Sequence, residues 1–275
     1  MGRQSDEDSA QFYVDTYDAS VPDWPGEPDF YRSMAADAAR AGGGVLELAC
    51  GTGRIAVRLG REGLDVVGLD LSARMLERAR KKSAGLTNLR WVEGDMRAFR
   101  LERTFALVIV PGHAFHNLTT PGDQVACLAC VRRHLAPRGR LVVHLDHQDL
   151  AWLGALTSGR GGVFETAEEF THPVSGNRVR TSRAWWCEPA DQAVICQTRW
   201  EEIDADRVAI DRWLNQPVRL HCVFRFEMEH LLARESFAVE AIYGDFSRRP
   251  LTDASSDMIW VARAEPGEDQ SASEG

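Results

Sequence analysis

The chain has 275 residues, a 44% hydrophobic fraction and a formal net charge of −9, enough apolar material for one large domain or one domain with an insertion. The acid excess and the lack of any concentrated basic patch exclude a nucleic-acid partner, whose phosphates need Lys and Arg. The polar N-terminus MGRQSDEDSA lacks the apolar core of an export signal, and no run of about eighteen apolar residues could span a bilayer, so a cytoplasmic protein with no membrane partner is expected.

Residues 1–11 and 265–275 are polar, small and acidic and are expected to stay disordered. Within 12–157 the pattern alternates: a strand over 45–49, a helix from 54, a strand over 65–69, a helix over 73–83 opened by an N-cap Ser72, and a strand over 89–93. A strand over 105–110, a helix over 121–135 and a strand over 140–145 continue it. The economical architecture is α/β: a Rossmann-like, mostly parallel seven-stranded sheet with helices on both faces. Residues 158–226 break the rhythm, because 178–187, 193–203 and 218–226 alternate like strands with no helix between them. They are expected to form a smaller antiparallel β insertion. A helix over 227–235 and strands over 237–243 and 257–263 return residues 227–264 to the core.

The six cysteines are scattered with no export signal, which points to reduced thiols. Cys127 and Cys130 form a C-x-x-C, but it lies in a helical pattern with no second pair, so buried thiols are expected rather than a metal or redox site.

The stretch VLELACGTGR joins the first strand to the first helix. Glycines there bring backbone N–H groups and the helix's positive end against a ligand. Asp70 ends the second strand, where an acid accepts from ribose hydroxyls, so an adenosine-containing ligand is indicated. Gly51-x-Gly53-x-x-Ala56 also satisfies the dinucleotide fingerprint of nicotinamide-dependent oxidoreductases. Three features favour S-adenosylmethionine instead. Glu47 would repel a pyrophosphate and welcome a cation. In EGDM, Asp95 can accept from an adenine amino group while Met96 packs on the ring and Gly94 lies beside the cofactor. The ending, a helix and two strands, allows an antiparallel strand to insert in the sheet.

With LELACGTGR, GLDLSARMLERAR and VEGDMRAF in this order and spacing, the chain resembles the class I S-adenosylmethionine-dependent methyltransferases, closely over 12–150 and loosely over 227–263. The resemblance implies that Glu47, Ala49, Gly51 and Gly53 surround the methionine part of the cofactor. It puts Asp70 on the ribose, Leu71 beside the adenine and Met75 at the closed side of the pocket. Ala49 stands where that family has its first glycine. The aromatic segment FYVDTYDASVPDWPGEPDFY is similar to a lid, with Tyr17 toward the cofactor and Tyr13 and Tyr31 toward the substrate. The insertion suggests similarity to small-molecule methyltransferases of amino acids, amino sugars and bacterial natural products. A non-catalytic nucleotide-binding module is the reading from another class.

Ligands of open α/β sheets bind beyond the carboxyl ends of the strands, so IVPGHAFHNL should present His113, Phe115 and His116 to the reaction centre. His116, or else His113, is expected to serve as base or hydrogen-bond acceptor, and Phe115 to contact substrate. In HLDHQD, His144 and Asp146 share one face and His147 the other. With no further ligand at a telling spacing, a polar rim is expected there and no metal. Trp185, Trp186 and Trp200 fall on insertion strands, with Trp186 placed to roof a small-molecule acceptor. The acceptor atom and the oligomeric state, a homodimer included, stay open.

Overall fold

The computed structural model describes residues 5–265. They divide into two compact units, one of residues 23–147 and 223–265, the other of residues 5–22 and 148–222.

Helix α1 (Asp6–Ser20) opens on a capping box: Ser5 Oγ accepts the Asp8 N–H at 3.1 Å, and Asp8 Oδ2 accepts the Ser5 N–H at 3.1 Å. Acids at Asp6, Glu7 and Asp8 sit at the positive end of the helix dipole. The expected disorder over 1–11 is thus corrected for residues 5–11, because the acids that read as a solvated run are a helix start. Residues 1–4 and 266–275 lie outside the described residues.

Helix α2 (Glu27–Arg40) has Pro28 in its first turn, where a missing N–H is harmless, and buries Phe30, Tyr31, Met34, Ala35 and Ala38 along one face. Then come β1 (Val45–Leu48), α3 (Ala56–Arg61), β2 (Val66–Asp70), α4 (Ala73–Lys82), β3 (Leu89–Glu93), β4 (Phe105–Val110), α5 (Pro121–His134) and β5 (Leu135–Asp146), in the expected alternation. Ser72 caps α4 by accepting the Met75 N–H at 3.3 Å. Cys127 and Cys130 are buried thiols of α5.

The other unit adds α6 (Leu150–Ala155) and five antiparallel strands, β6 (Glu165–Thr171), β7 (Arg178–Glu188), β8 (Ala193–Ile203), β9 (Ala209–Leu214) and β10 (Val218–His221). Their order is β10-β8-β7-β6, with β9 also paired to β8. β6 and β9 are additional to the expected strands; β6 carries three glutamates in seven residues, which masks its strand character. Helix α1 belongs with this sheet, not with the parallel one, because Phe12 stacks on Trp213 at 3.8 Å and shares a cluster with Phe170, Val179 and Trp200. The antiparallel unit therefore starts near residue 148 and takes in only the first part, residues 12–22, of the segment expected to act as a lid.

Helix α7 (Arg225–Arg234), β11 (Phe237–Tyr243) and β12 (Asp257–Ala264) complete the first unit. Helix α7 begins before residue 227 and truncates the strand expected over 218–226, since the Glu227 carboxylate accepts the Phe224 N–H at 3.2 Å and caps it there. The seven-stranded sheet runs β11-β12-β5-β4-β1-β2-β3. Strands β1 to β5 are parallel, and β12 enters antiparallel between β5 and β11. Alternate residues feed opposite faces, Leu46 and Leu48 one core cluster and Val45 the other. Because β12 runs against its neighbour, its first residue, Asp257, pairs with Asp146 at the carboxyl edge of β5.

Candidate active site

The chain leaving β1 turns through left-handed backbone at Ala49 (φ 52°), Gly51 (φ 54°) and Gly53 (φ 75°). A Cβ on Gly53 or on Gly68 would stand 2.4 Å from the Trp91 ring, so both glycines also make room for that indole. Trp91 Nε1 donates to Ser83 Oγ at 3.0 Å. Asp70 Oδ2 accepts the Gly51 N–H at 2.7 Å, and Oδ1 accepts the Ser72 N–H at 2.8 Å, tying the ends of β1 and β2 together. A carboxylate has about four acceptor positions, so each oxygen keeps one for a hydroxyl. Leu71, next along the chain, is 70% exposed, whereas Met75 is buried.

Several expected cofactor contacts sit elsewhere. Glu47 is only 2% exposed and accepts the Ala56 N–H at 2.7 Å, which fastens the first turn of α3 to β1. Burial pushes its carboxyl up to about 8 against the pull of Arg54 and of that N–H. Asp95, expected to accept from the adenine, is engaged by its neighbour: its oxygens take the Arg97 N–H and guanidinium at 2.6–3.0 Å, which holds its pKa low. Met96 packs against the core, and the Gly94 N–H donates to the Asp70 carbonyl at 3.0 Å.

Tyr31 and Phe115 are corrected as substrate contacts, since both are fully buried. Tyr31 lies between Phe30 and Phe246, at 5.5 and 5.7 Å between ring centres. In the antiparallel unit, Tyr13 packs on Tyr17 and Trp200 at 5.5 and 5.8 Å. Trp186 lies under Gly162, where a Cβ would meet its Nε1 at 2.8 Å, and Trp185 meets Trp152 edge-on at 5.3 Å.

Both histidines after β4 are engaged by protein groups. His116 is corrected as a base: its side chain is 4% exposed and its Nε2 accepts the Asp146 N–H at 3.1 Å, so the lone pair a base needs is taken. His113 has left-handed backbone (φ 62°) at the start of the turn Ala114–Asn117. Its Nε2 faces His144 Nε2 at 2.9 Å and Asp257 Oδ1 at 3.3 Å, and its Nδ1 faces Asp146 Oδ1 at 3.3 Å. His144 Nε2 is 2.8 Å from Asp257 Oδ1. Burial drives the His144 pKa down. Burial alone would raise Asp257, but hydrogen bonds from His113, His144 and Ser256 hold it far below the usual carboxylate range. His147 is turned away and donates from Nδ1 to the Ser255 carbonyl at 2.8 Å.

The sequence reading missed the groups that enclose this cluster. The Trp24 ring meets His113 and His144 edge-on at 5.0 and 5.1 Å. Arg54 lies over Trp24 and forks onto the fully buried Glu27, with one contact at 2.8 Å, and reaches Asp23 at 2.9 Å. The last residue of CGTGR is the only charge in that stretch, but its burial, which calls for a carboxylate partner, is decided by the fold. Asp257 had no such signal beyond being a lone acid before an apolar strand.

Residues 45–139 match the family model described as a methyltransferase domain. That stretch therefore carries a methyltransferase domain. Its sequence is similar to a dTDP-3-amino-3,4,6-trideoxy-alpha-D-glucopyranose N,N-dimethyltransferase of Streptomyces venezuelae, 36% identical over 42% of this chain and 46% of that one. It is also similar to a cypemycin N-terminal methyltransferase of Streptomyces sp, 34% identical over 50% and 52% of the two chains. The chain thus spans about half the length of these curated relatives. The solved CcbJ methyltransferase of Streptomyces caelestis superposes with a TM-score of 0.77 at 23% identity, covering 96% of this chain and 100% of that one, which is a likeness of fold. The cofactor of this methyltransferase domain class is S-adenosylmethionine, and the residues present fit it. Asp70 keeps acceptor positions for ribose hydroxyls, and exposed Leu71 offers an apolar surface for the adenine. No helix among the described residues is long and apolar enough to cross a membrane.

Proposed function

We propose that this protein transfers the methyl group of S-adenosylmethionine to an amine nitrogen of a small-molecule acceptor, an amino sugar or amino-acid derivative of the natural-product kind. The bound cofactor supplies an electrophilic methyl on a sulfonium. The chain's part is to align the acceptor in line with it and keep water away. Asp70 and Leu71 hold the nucleoside, and the left-handed turn from Ala49 to Gly53 lets backbone approach the rest.

The observation that carries the choice of nitrogen is the state of the two histidines. His116 Nε2 is occupied by the Asp146 N–H, and both ring nitrogens of His113 face protein groups. A hydroxyl or carbon acid would need a positioned base to lose its proton, whereas a neutral amine attacks with the lone pair it already has. The names of two relatives, an amino-sugar N,N-dimethyltransferase and an N-terminal methyltransferase, describe amine acceptors and support the same reading.

The test is a screen of primary and secondary amines, alcohols and activated carbon acids, read as release of S-adenosylhomocysteine and confirmed by the mass of the product. Turnover confined to amines is expected. Turnover of alcohols or carbon acids with none for amines overturns the assignment, and a tightly bound nicotinamide dinucleotide in the purified protein would overturn the cofactor.

A further inference from the structure

His113 Nε2, His144 Nε2 and Asp257 Oδ1 form a triangle with sides of 2.9, 2.8 and 3.3 Å. With Asp257 ionised, imidazole protons alone do not satisfy it. If both imidazoles carry a proton on Nε2, two N–H groups oppose each other along the histidine–histidine edge. If one is bare, its lone pair faces the lone pairs of the carboxylate. At least one edge is then repulsive in every tautomer of the two imidazoles, inside a cluster where His144 is fully buried.

A cation at the centre removes the conflict, because all three lone pairs then converge on it. Ligands about 2.0–2.1 Å from one ion, at the angles of octahedral or tetrahedral coordination, stand about 2.8–3.4 Å apart, which matches the triangle. We propose that His113, His144 and Asp257 bind a first-row divalent transition metal ion. Two imidazoles and one carboxylate suit Fe²⁺, Co²⁺, Ni²⁺ or Zn²⁺ better than the oxygen-seeking Mg²⁺ or Ca²⁺.

The surroundings are those of a ligand set. Asp146 Oδ1 faces the remote nitrogen of His113 at 3.3 Å, and Ser256 Oγ donates to the other Asp257 oxygen at 2.5 Å. Outer partners of this kind orient metal ligands. His144 is held by packing instead, with Phe246 at 4.8 Å and Trp24 at 5.1 Å, and its buried Nδ1 has no partner. The site shares His113 with the argument for an amine acceptor, but its test reads metal binding alone, and every ligand belongs to one compact unit.

The test is a titration of the chelator-treated full chain with Co²⁺, followed by visible absorption and by calorimetry, then competition with Zn²⁺. One equivalent is expected to bind at micromolar concentration, with d–d bands of nitrogen and oxygen ligands and no thiolate charge-transfer band. His113→Ala and Asp257→Asn, checked for a wild-type circular dichroism spectrum, should each weaken binding by at least about 100-fold. No binding below millimolar Co²⁺, or binding that survives both substitutions, overturns the site. So does a thiolate band in the wild-type spectrum, which assigns the ion to cysteine and needs no variant.

Discussion

The guanidinium of Arg54, at the end of the glycine loop, is forked onto the fully buried carboxylate of Glu27 at the first residue of α2. The pair ties the start of that helix to the loop that follows β1. Replacing Arg54 by Met leaves Glu27 buried without its cation, and breaking such a pair costs about 3–5 kcal/mol. The melting temperature of Arg54→Met is expected to fall by about 8–15 °C, and Glu27→Gln in the same chain should recover part of the loss. A melting curve that overlays the wild type would show that the pair does not anchor the helix.

Asp70 joins two backbone donors and keeps acceptor positions for a ribose. Asp70→Ala should weaken S-adenosylmethionine binding by about 10–100-fold, the loss of hydrogen bonds to a charged acceptor worth roughly 1.5–3 kcal/mol. Calorimetric titration of the folded variant decides it. Unchanged affinity would remove Asp70 from the cofactor site.

Ala49 occupies left-handed backbone at φ 52°, which strains any residue with a Cβ. The strain is about 1–2 kcal/mol, and glycine gives back roughly 0.5–1 kcal/mol through its freer unfolded chain. Ala49→Gly is therefore expected to raise stability by about 0.5–1 kcal/mol, seen as a higher urea midpoint at constant slope. A lower midpoint would mean that the methyl group's packing outweighs the strain.

Burial lifts the Glu47 carboxyl from 4.5 to about 8, so between those values the folded protein holds a proton that the unfolded chain has released. The fold then binds more protons than the unfolded state, and stability falls as pH rises through that window. Glu47→Gln lacks the titration, so its stability relative to wild type should grow from about pH 5 to pH 8. Parallel urea curves for the two proteins across that range would show that Glu47 is ionised in the fold.

The sequence by itself determined the α/β alternation, since apolar strands of four to six residues separated by helical periods admit few other architectures. It also determined the glycine turn and Asp70, because their signals are local and adjacent in the chain. Helix α1 was hidden by the resemblance of a capping box to a disordered acidic run, and its allegiance to the antiparallel sheet rests on Phe12 stacking over Trp213, 201 residues away in sequence.

The roles of individual side chains were decided by tertiary structure. Tyr31 and Phe115 read as site aromatics until packing placed them in the core. His113, His144 and Asp257 come from three segments whose meeting depends on β12 entering antiparallel beside β5, which puts its first residue at the carboxyl edge. Periodicity reports which face a residue occupies, but the partner across that face is set by strand order and direction, and no local pattern encodes those.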